Sequence, residues 1–464
     1  MNITTEIYEA HRELSRCSAA FLDYVHDNPA CLDAANFEGV LSTYFGYVKF
    51  HPWPTFIDEK TREKINTAAV KVHRLITSVP GRLFDNDMHK IMEYYRLPQG
   101  AVKLMLRGAG AGPERPWDVL SRGDFIYSPS AGFKCLEFNM TSNVGGGWQA
   151  DELEPFYYNT PVLARFLKEY GIKMTRTGFS ASLLAHVVDR AAVHPPFEND
   201  EEINTAVVYP NYGDSTVKDT PVVSRLKEIY QDVLRQEHPG RKGSLAVTDF
   251  FRLQVKNGCM VTNVAGEEKK IHVIVEKCNG LVPETVMDIV DTGEVLLFNG
   301  PIGHLMSSKL NLALLSEHED SDLFSPEERE TIKTHIPWTR KLDAGLEDFV
   351  LAHRERLVLK PGDGIGGYGV APGRNTPPDQ WKQYVKKALV DLNWVVQEYV
   401  PSYLYLYQDG EKGAVEHHMV WGVFVFGSRG CGGFTRVLPA RHHKGVINAS
   451  QGARLNIILE VAES

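Results

Sequence analysis

Apolar positions recur at three- and four-residue intervals through the first hundred residues. Ile7-Tyr8-x-x-His11-x-x-Leu14 and Ile91-Met92-x-x-Tyr95 keep the period of a helix face, so this stretch is expected to be mainly helical. Pro52 and Pro54 put an irregular segment between helices. Beyond Pro116 the period shortens. Residues 123–127 and 133–138 read as two strands joined by Ser128-Pro-Ser-Ala-Gly132, a strong turn signal. Such a hairpin would bring Asp124 near Glu137. After the three glycines 145–147, residues 148–167 are expected to form a helix.

From 205 to 298 strand candidates (206–209, 245–247 and 272–275) alternate with helical stretches such as 222–235, which predicts an α/β layer. The acidic stretch 317–330 holds Ser325-Pro326-Glu-Glu, a helix-start signature, and reads as a surface connection or a lid. From 357 onward, strands and one helix over 378–392 build a final α+β unit. Within it Val420-Trp-Gly-Val-Phe-Val-Phe426 is short, aromatic and β-branched, the pattern of a buried strand. The expected class is α/β (α+β), with a mainly helical region at 1–115, an α/β region at 116–305 and a third region at 306–464. No internal repeat or low-complexity tract interrupts it.

Composition narrows the picture. The 464 residues exceed what one hydrophobic core usually supports, so two or three substructures are expected. Hydrophobic residues at 43% and charged residues at 23% are ordinary for a soluble globular chain. No apolar run approaches the roughly 18 residues of a membrane helix. The amino terminus lacks a basic region followed by an apolar stretch, so no secretory signal is expected and Asn139-Met-Thr141 reads as an accidental glycosylation sequon. The six cysteines are scattered without a C-x-x-C pair, which fits a reducing cytoplasm; Cys17 and Cys31 sit in helical patterns as core residues. A net charge of −9 argues against a nucleic-acid binder. It leaves a nucleotide site open, which needs only local positive charge.

The candidate chemistry is divided along the chain. Asp124, Glu137 and Asn139 are hard oxygen donors of the kind that hold magnesium. Glu137 and Asn139 are two apart on a strand and share a face, as do Arg122 and Asp124. A solvated face with a surface ion pair would show the same residues. Far downstream comes Leu359-Lys360-Pro361-Gly-Asp-Gly364-Ile-Gly366-Gly367-Tyr-Gly369. Its G-x-G-x-x-G spacing should open a helix if it were a dinucleotide fingerprint, but Pro372 and Gly373 follow at once. No Walker A Lys-Ser/Thr follows, and no His-Arg-Asp or Asp-Phe-Gly kinase signature appears. What remains is a strand ending in Lys360 and a glycine flap whose backbone N–H groups can approach phosphate, or an ordinary hairpin with a surface lysine. Val395-Val-Gln397-Glu398-Tyr-Val400 reads as a core strand with a polar end, or as a hinge meeting an adenine edge. The histidine pairs 417–418 and 442–443 are poor metal sites, because neighbours on a strand face opposite ways. No nucleophile elbow is present.

The order of these motifs resembles the circularly permuted ATP-grasp proteins, the group that includes glutathionylspermidine synthetase-like ligases. The likeness spans about residue 116 to the carboxyl terminus. Arg122-Gly-Asp124 and Glu137-Phe-Asn139 precede Ser308-Lys309, Lys360-Pro with its flap, and Gln397-Glu398-Tyr399. The resemblance implies an ATP-grasp fold in permuted order and an ADP-forming carboxylate–amine ligase with ATP and Mg2+ as cofactors. Lys309 and Lys360 would bind the phosphates under a flap containing Gly364, Gly366 and Gly367. Gln397, Glu398 and Val400 would line the adenine pocket, and Asp124, Glu137 and Asn139 would hold magnesium. Arg122 would stabilise the transferring phosphoryl group; Arg436 and Asn143 would add phosphate or substrate contacts. The partners would be a small-molecule carboxylate and an amine, with no nucleic acid and no membrane, and self-association is left open. The chain departs from the group where Glu-x-Asn runs into Met140-Thr-Ser-Asn-Val-Gly-Gly-Gly147, and in lacking an amidase domain with its cysteine, so the glutathione and polyamine substrates do not carry over. A small-molecule kinase on the same scaffold and a non-catalytic nucleotide-binding protein are the competing functions.

Overall fold

Residues 414–426 become the longest strand of a mixed eight-stranded sheet, and most of what positions the candidate chemistry hangs from it. The computed structural model describes residues 4–28, 49–107, 117–141, 144–210, 221–364, 366–408, 414–442 and 445–462. Cys31, Asn143 and His443 therefore lie outside the described residues.

Across the sheet the strands run Thr55–Ile57, Arg454–Val461, Arg429–Pro439, Ala414–Phe426, Leu120–Ser128 and Gly132–Asn139. Leu404–Gln408 also pairs with Ala414–Phe426, and Met174–Thr175 with Arg454–Val461. The expected hairpin is thus present, and its first strand is antiparallel to Ala414–Phe426, with Asp124 opposite Gly422. The irregular segment at Pro52 and Pro54 leads into Thr55–Ile57, which joins the sheet parallel to Arg454–Val461 and was not legible as a strand. Among the described residues the front of the chain is otherwise mainly helical: Thr5–Leu14, Arg16–Asp27, Glu59–Phe84, Met88–Tyr95 and Gln99–Met105. Glu59–Phe84 buries Ile65, Ala68, Ala69, Val72, Ile76 and Val79, spaced as one helix face, and Asp58 caps its first turn. Cys17 lies in the core, as expected.

A parallel sheet in the order Leu296–Phe298, Val273–Glu276, Thr205–Tyr209, Leu245–Asp249 forms the expected α/β layer, with the helix Pro221–Glu237. A third, antiparallel sheet runs Thr339–Lys341, Trp394–Glu398, Leu357–Pro361, Ala371–Pro372 and carries the helix Pro378–Asp391. The class is mixed, α+β with several sheets. Among the described residues no helix is long and apolar enough to cross a membrane.

Three local expectations are corrected. The helix expected over 148–167 is two, Gly147–Tyr158 and Pro161–Tyr170. Thr160 caps the second, and Pro161, with no N–H to give, starts it. The strand expected at 272–275 is Val273–Glu276; His272 stands ahead of it, its ring bonded to Asp200 and to the amide of Asn204. A meander of Gln254–Lys256, Cys259–Val264 and Glu267–Lys270 was not expected, although Asn257-Gly258 turns it with both φ angles positive. The acidic stretch lies at the surface against the front of the chain. Its helix Pro326–His335 is tied to Glu59–Phe84 by Lys71–Glu327 and Arg82–Glu328, over buried Phe324.

His11 fastens the front helices to the sheet and makes the fold acid-sensitive. The Leu406 amide donates to its Nε2 at 3.1 Å, so Nδ1 carries the hydrogen and donates to Ser18 Oγ at 2.9 Å. Burial pushes its pKa from 6.5 down to about 4. A histidine depressed on folding contributes stability above pH 6.5 that is lost as pH falls toward 4. Between pH 7 and 4.5 this amounts to about 2 to 3 kcal/mol. Urea titrations at the two pH values should show that much less acid loss in His11→Gln, which keeps both hydrogen bonds and does not titrate. An equal loss would assign the acid limb to other groups.

Candidate functional site

Register carries the first half of the site. In the hairpin Leu120–Ser128/Gly132–Asn139, Arg122 pairs with Asn139 and Asp124 with Glu137, so the four candidate side chains stand together at one end of the ladder. Asp124 is nearly fully buried. It accepts from Arg122 Nε at 2.8 Å and Nη2 at 3.0 Å, and from Asn139 Nδ2 at 3.3 Å. Arg436, from Arg429–Pro439, adds a fourth contact, Nη2 to Oδ2 at 2.6 Å. The remaining Arg122 nitrogen, Nη1, donates to the Gly145 carbonyl at 2.8 Å. Both guanidinium groups lie over the Phe434 ring, at 5.4 and 5.9 Å.

The second half arrives from elements almost two hundred residues away. Lys309, between the helices Ile302–Ser307 and Leu310–Glu317, reaches Glu137 Oε2 at 3.1 Å and the Gly364 carbonyl at 2.6 Å. Lys360 ends the strand Leu357–Pro361 and donates to the Leu136 carbonyl at 3.1 Å and to Gln397 Oε1 at 2.6 Å. Gln397 is fixed in turn by Thr339 Oγ1 at 3.0 Å. Gly364 and residues 366–369 lie at the tip of the hairpin between Leu357–Pro361 and Ala371–Pro372, as the sequence suggested. Gly366, Gly367 and Gly369 have φ between +65° and +75°, which a side chain would strain. Ile365, between them, lies outside the described residues.

Burial makes these charges act on one another. Burial alone would raise the Glu137 pKa, but Lys309 and Lys360 outweigh it and hold the carboxyl well below its usual range. Lys360 goes the other way: burial pulls its ammonium down to about 8, against the attraction of Glu137. The cluster counts four cations, Arg122, Lys309, Lys360 and Arg436, against two carboxylates, Asp124 and Glu137. Arg436 Nε is buried and has no hydrogen-bond partner. An excess of buried positive charge with an unused donor is the signature of a site built for an anion.

Two hollows meet there. A narrow slot of about 100 Å³ runs between the hairpin and the third sheet, with Ile126, Leu136, Val358 and Val400 as apolar walls. Lys360, Gln397, Glu398 and Gly367 also line it, and its size and walls suit a flat ring. A larger cavity of about 570 Å³ holds Arg122, Asn139, Lys309, Gly364 and Gly366. Glu137, Arg436 and Asn448 belong to both. The structure therefore brings together every described candidate residue. Of the histidines, His417 packs its ring against His51 and Tyr407, while His418 lines the slot.

The donor chemistry also fits a hard cation. Asp124, Glu137 and Asn139 supply two carboxylates and an amide oxygen from adjacent ladder positions, a set that magnesium completes with phosphate oxygens and water. Arg122 and Lys309 hold those carboxylates in the present arrangement. Sequence reasoning missed Ser307, Ser308, Gln149 and His304 in the cavity and Asn448 at the junction. None sits at a spacing that marks a site, and Ser308 entered only as the neighbour of Lys309. No protein-family model matches the chain, and no curated protein matches it either.

Proposed function

We propose that this chain is an ATP-dependent carboxylate–amine ligase with an ATP-grasp fold in circularly permuted order, working through an acyl phosphate and releasing ADP. The observation that carries the reading is the convergence of Arg122, Asp124, Glu137, Asn139, Lys309, Lys360 and Arg436 at the junction of a flat apolar slot and a roomy polar cavity. A ring bound in the slot puts its phosphates among the cations and leaves the cavity for a second molecule.

In this reading the adenine lies along Gln397, Glu398 and Val400, with Lys309, Lys360 and Arg436 on the phosphates and the glycine flap above. Asp124, Glu137 and Asn139 would hold magnesium, which would supply charge neutralisation. A substrate carboxylate oxygen attacks the γ-phosphorus, ADP leaves, and Arg122 stabilises the charge on the transferring group. An amine then attacks the acyl carbon and inorganic phosphate departs, leaving an amide. The free thiols of Cys17, Cys135, Cys259, Cys278 and Cys431 support a reducing, cytoplasmic setting.

The test is ADP release from Mg·ATP against a panel of amino acids, other small carboxylates and amines, with products identified by mass. Turnover that needs both a carboxylate and an amine supports the ligase. Turnover with one phosphoryl acceptor and no amine makes the protein a small-molecule kinase. ATP binding without turnover on any pair leaves a nucleotide-binding protein.

A further inference from the structure

The cavity holds an imidazole that the steps above do not use. His304 lies on the helix Ile302–Ser307, exposed to the same cavity as Arg122 and Lys309. Ser308, just past the end of that helix, also lines the cavity. The next residue, Lys309, bonds Glu137. His304 thus opens on the same cavity as the charged cluster, where an acyl group and an incoming nucleophile would meet.

Its ring is set in one orientation. His304 Nε2 bonds the carbonyl of Asn279, in the loop that follows the strand Val273–Glu276. A carbonyl oxygen only accepts, so Nε2 carries the hydrogen and the neutral ring keeps Nδ1 as its acceptor. The loop is shaped for this contact. Asn279 and Gly280 have φ of +54° and +71°, and a Cβ at Gly280 would meet His304 Cδ2 at 3.0 Å and Nε2 at 3.1 Å. The other charged side chains lining the cavity are committed: Arg122 and Arg436 to Asp124, Lys309 to Glu137, and Asp363 to Asn393. His304 is the one imidazole among the described residues that line it.

We infer that His304 is the base that takes the proton from the incoming amine, an inference that rests on the ligase reading. The nitrogen lone pair forms the N–C bond at the acyl carbon, and the C–O bond to phosphorus breaks with its electron pair leaving on phosphate. The proton released from nitrogen goes to His304 Nδ1 and then to solvent. The Asn279 carbonyl holds the tautomer and steadies the imidazolium, as a carboxylate does for other catalytic histidines.

Paired acceptors test this. Ammonia is mostly protonated at neutral pH and needs a base; hydroxylamine is largely unprotonated and a strong nucleophile without one. With a carboxylate that supports ADP release, His304→Gln should lower turnover with ammonium chloride by about 100-fold. Turnover with hydroxylamine, read as hydroxamate, should fall less than tenfold, so the ratio of the two rates shifts at least tenfold. Gln still donates to the Asn279 carbonyl, and unchanged ATP affinity by calorimetry shows the fold intact. Gly280→Ala keeps the imidazole but displaces it, and should shift the ratio in the same direction. An equal loss with both acceptors, or no loss, overturns the role of His304 and leaves the ligase standing. Wild-type protein that forms no hydroxamate with any carboxylate overturns both.

Discussion

Glu137→Gln should cut turnover by about 10³-fold while the protein still binds nucleotide. Glu137 sits opposite Asp124 in the hairpin and is the one carboxylate among the described residues that lines both slot and cavity. Its negative charge faces Lys309 and Lys360, whose attraction keeps it ionised through the neutral range. If it holds magnesium, removing the charge has opposite effects on the two forms of the nucleotide. Metal-free ATP loses a repelling neighbour and should bind about tenfold more tightly, a gain of about 1.4 kcal/mol. Mg·ATP loses a ligand and should bind no better than the metal-free form. Calorimetry with and without magnesium reads this reversal directly. Glutamine still offers Lys309 an oxygen, so a melting temperature near that of wild type is expected and separates chemistry from misfolding. Normal turnover in Glu137→Gln would remove the metal assignment.

How far the site could be read from the chain depends on how local its signals are. The hairpin was legible because Ser128-Pro-Ser-Ala-Gly132 marks a turn and because Arg122 and Asp124, like Glu137 and Asn139, are two apart. Lys360 and Gln397 were legible because each polar residue ends an apolar run. What the chain does not write down is which strands meet. Asp124 faces Gly422, and Lys309 reaches Glu137, through pairings of elements far apart in sequence that no local pattern encodes. The same limit hid the place of Thr55–Ile57, three residues too short for any period, beside Arg454–Val461. His304 is the sharpest case. In a short apolar helix it reads as an ordinary histidine, and its ring is held by a carbonyl that another loop presents. The break at Thr160-Pro161 and the turn at Asn257-Gly258 had signals as strong as those that were used, capping with proline at the first position and an Asn-Gly pair.

The front of the chain acquires a role from this geometry that no motif announces. Tyr95, Leu97 and Met105, from or beside the helices Met88–Tyr95 and Gln99–Met105, line the large cavity. Tyr95 donates to Asn311 Oδ1 at 2.6 Å, just beyond Lys309. Arg107 ties the same region to Asp288 and Asp291 of the parallel-sheet layer. The helical region is therefore one wall of the space a substrate would fill, and its side chains differ in kind from the phosphate end: large and mostly apolar against small, charged and polar.

Arg122→Ala should lower kcat by about 10³-fold and change ATP affinity less than tenfold. Arg122 holds Asp124 through two parallel bonds and the Gly145 carbonyl through a third, and it lines the cavity rather than the slot. In the proposed ligase, Lys309, Lys360 and Arg436 would hold the phosphates of ground-state nucleotide, so losing Arg122 would take away charge that matters only as the phosphoryl group moves. Without it Asp124 keeps Arg436 and Asn139, which limits the structural damage. Arg122→Lys should recover little, because a point charge does not reproduce a planar fork that bonds Asp124 and a phosphoryl oxygen together. Isotope transfer completes the test. With the carboxylate oxygens labelled, label should appear in released phosphate in step with ADP and amide, since acyl phosphate formation and breakdown move one carboxylate oxygen onto phosphorus. The residual turnover of Arg122→Ala should carry the same label, slower but unchanged in route. AMP with pyrophosphate, or label held wholly outside phosphate, would overturn this mechanism and point to adenylation or to simple phosphoryl transfer.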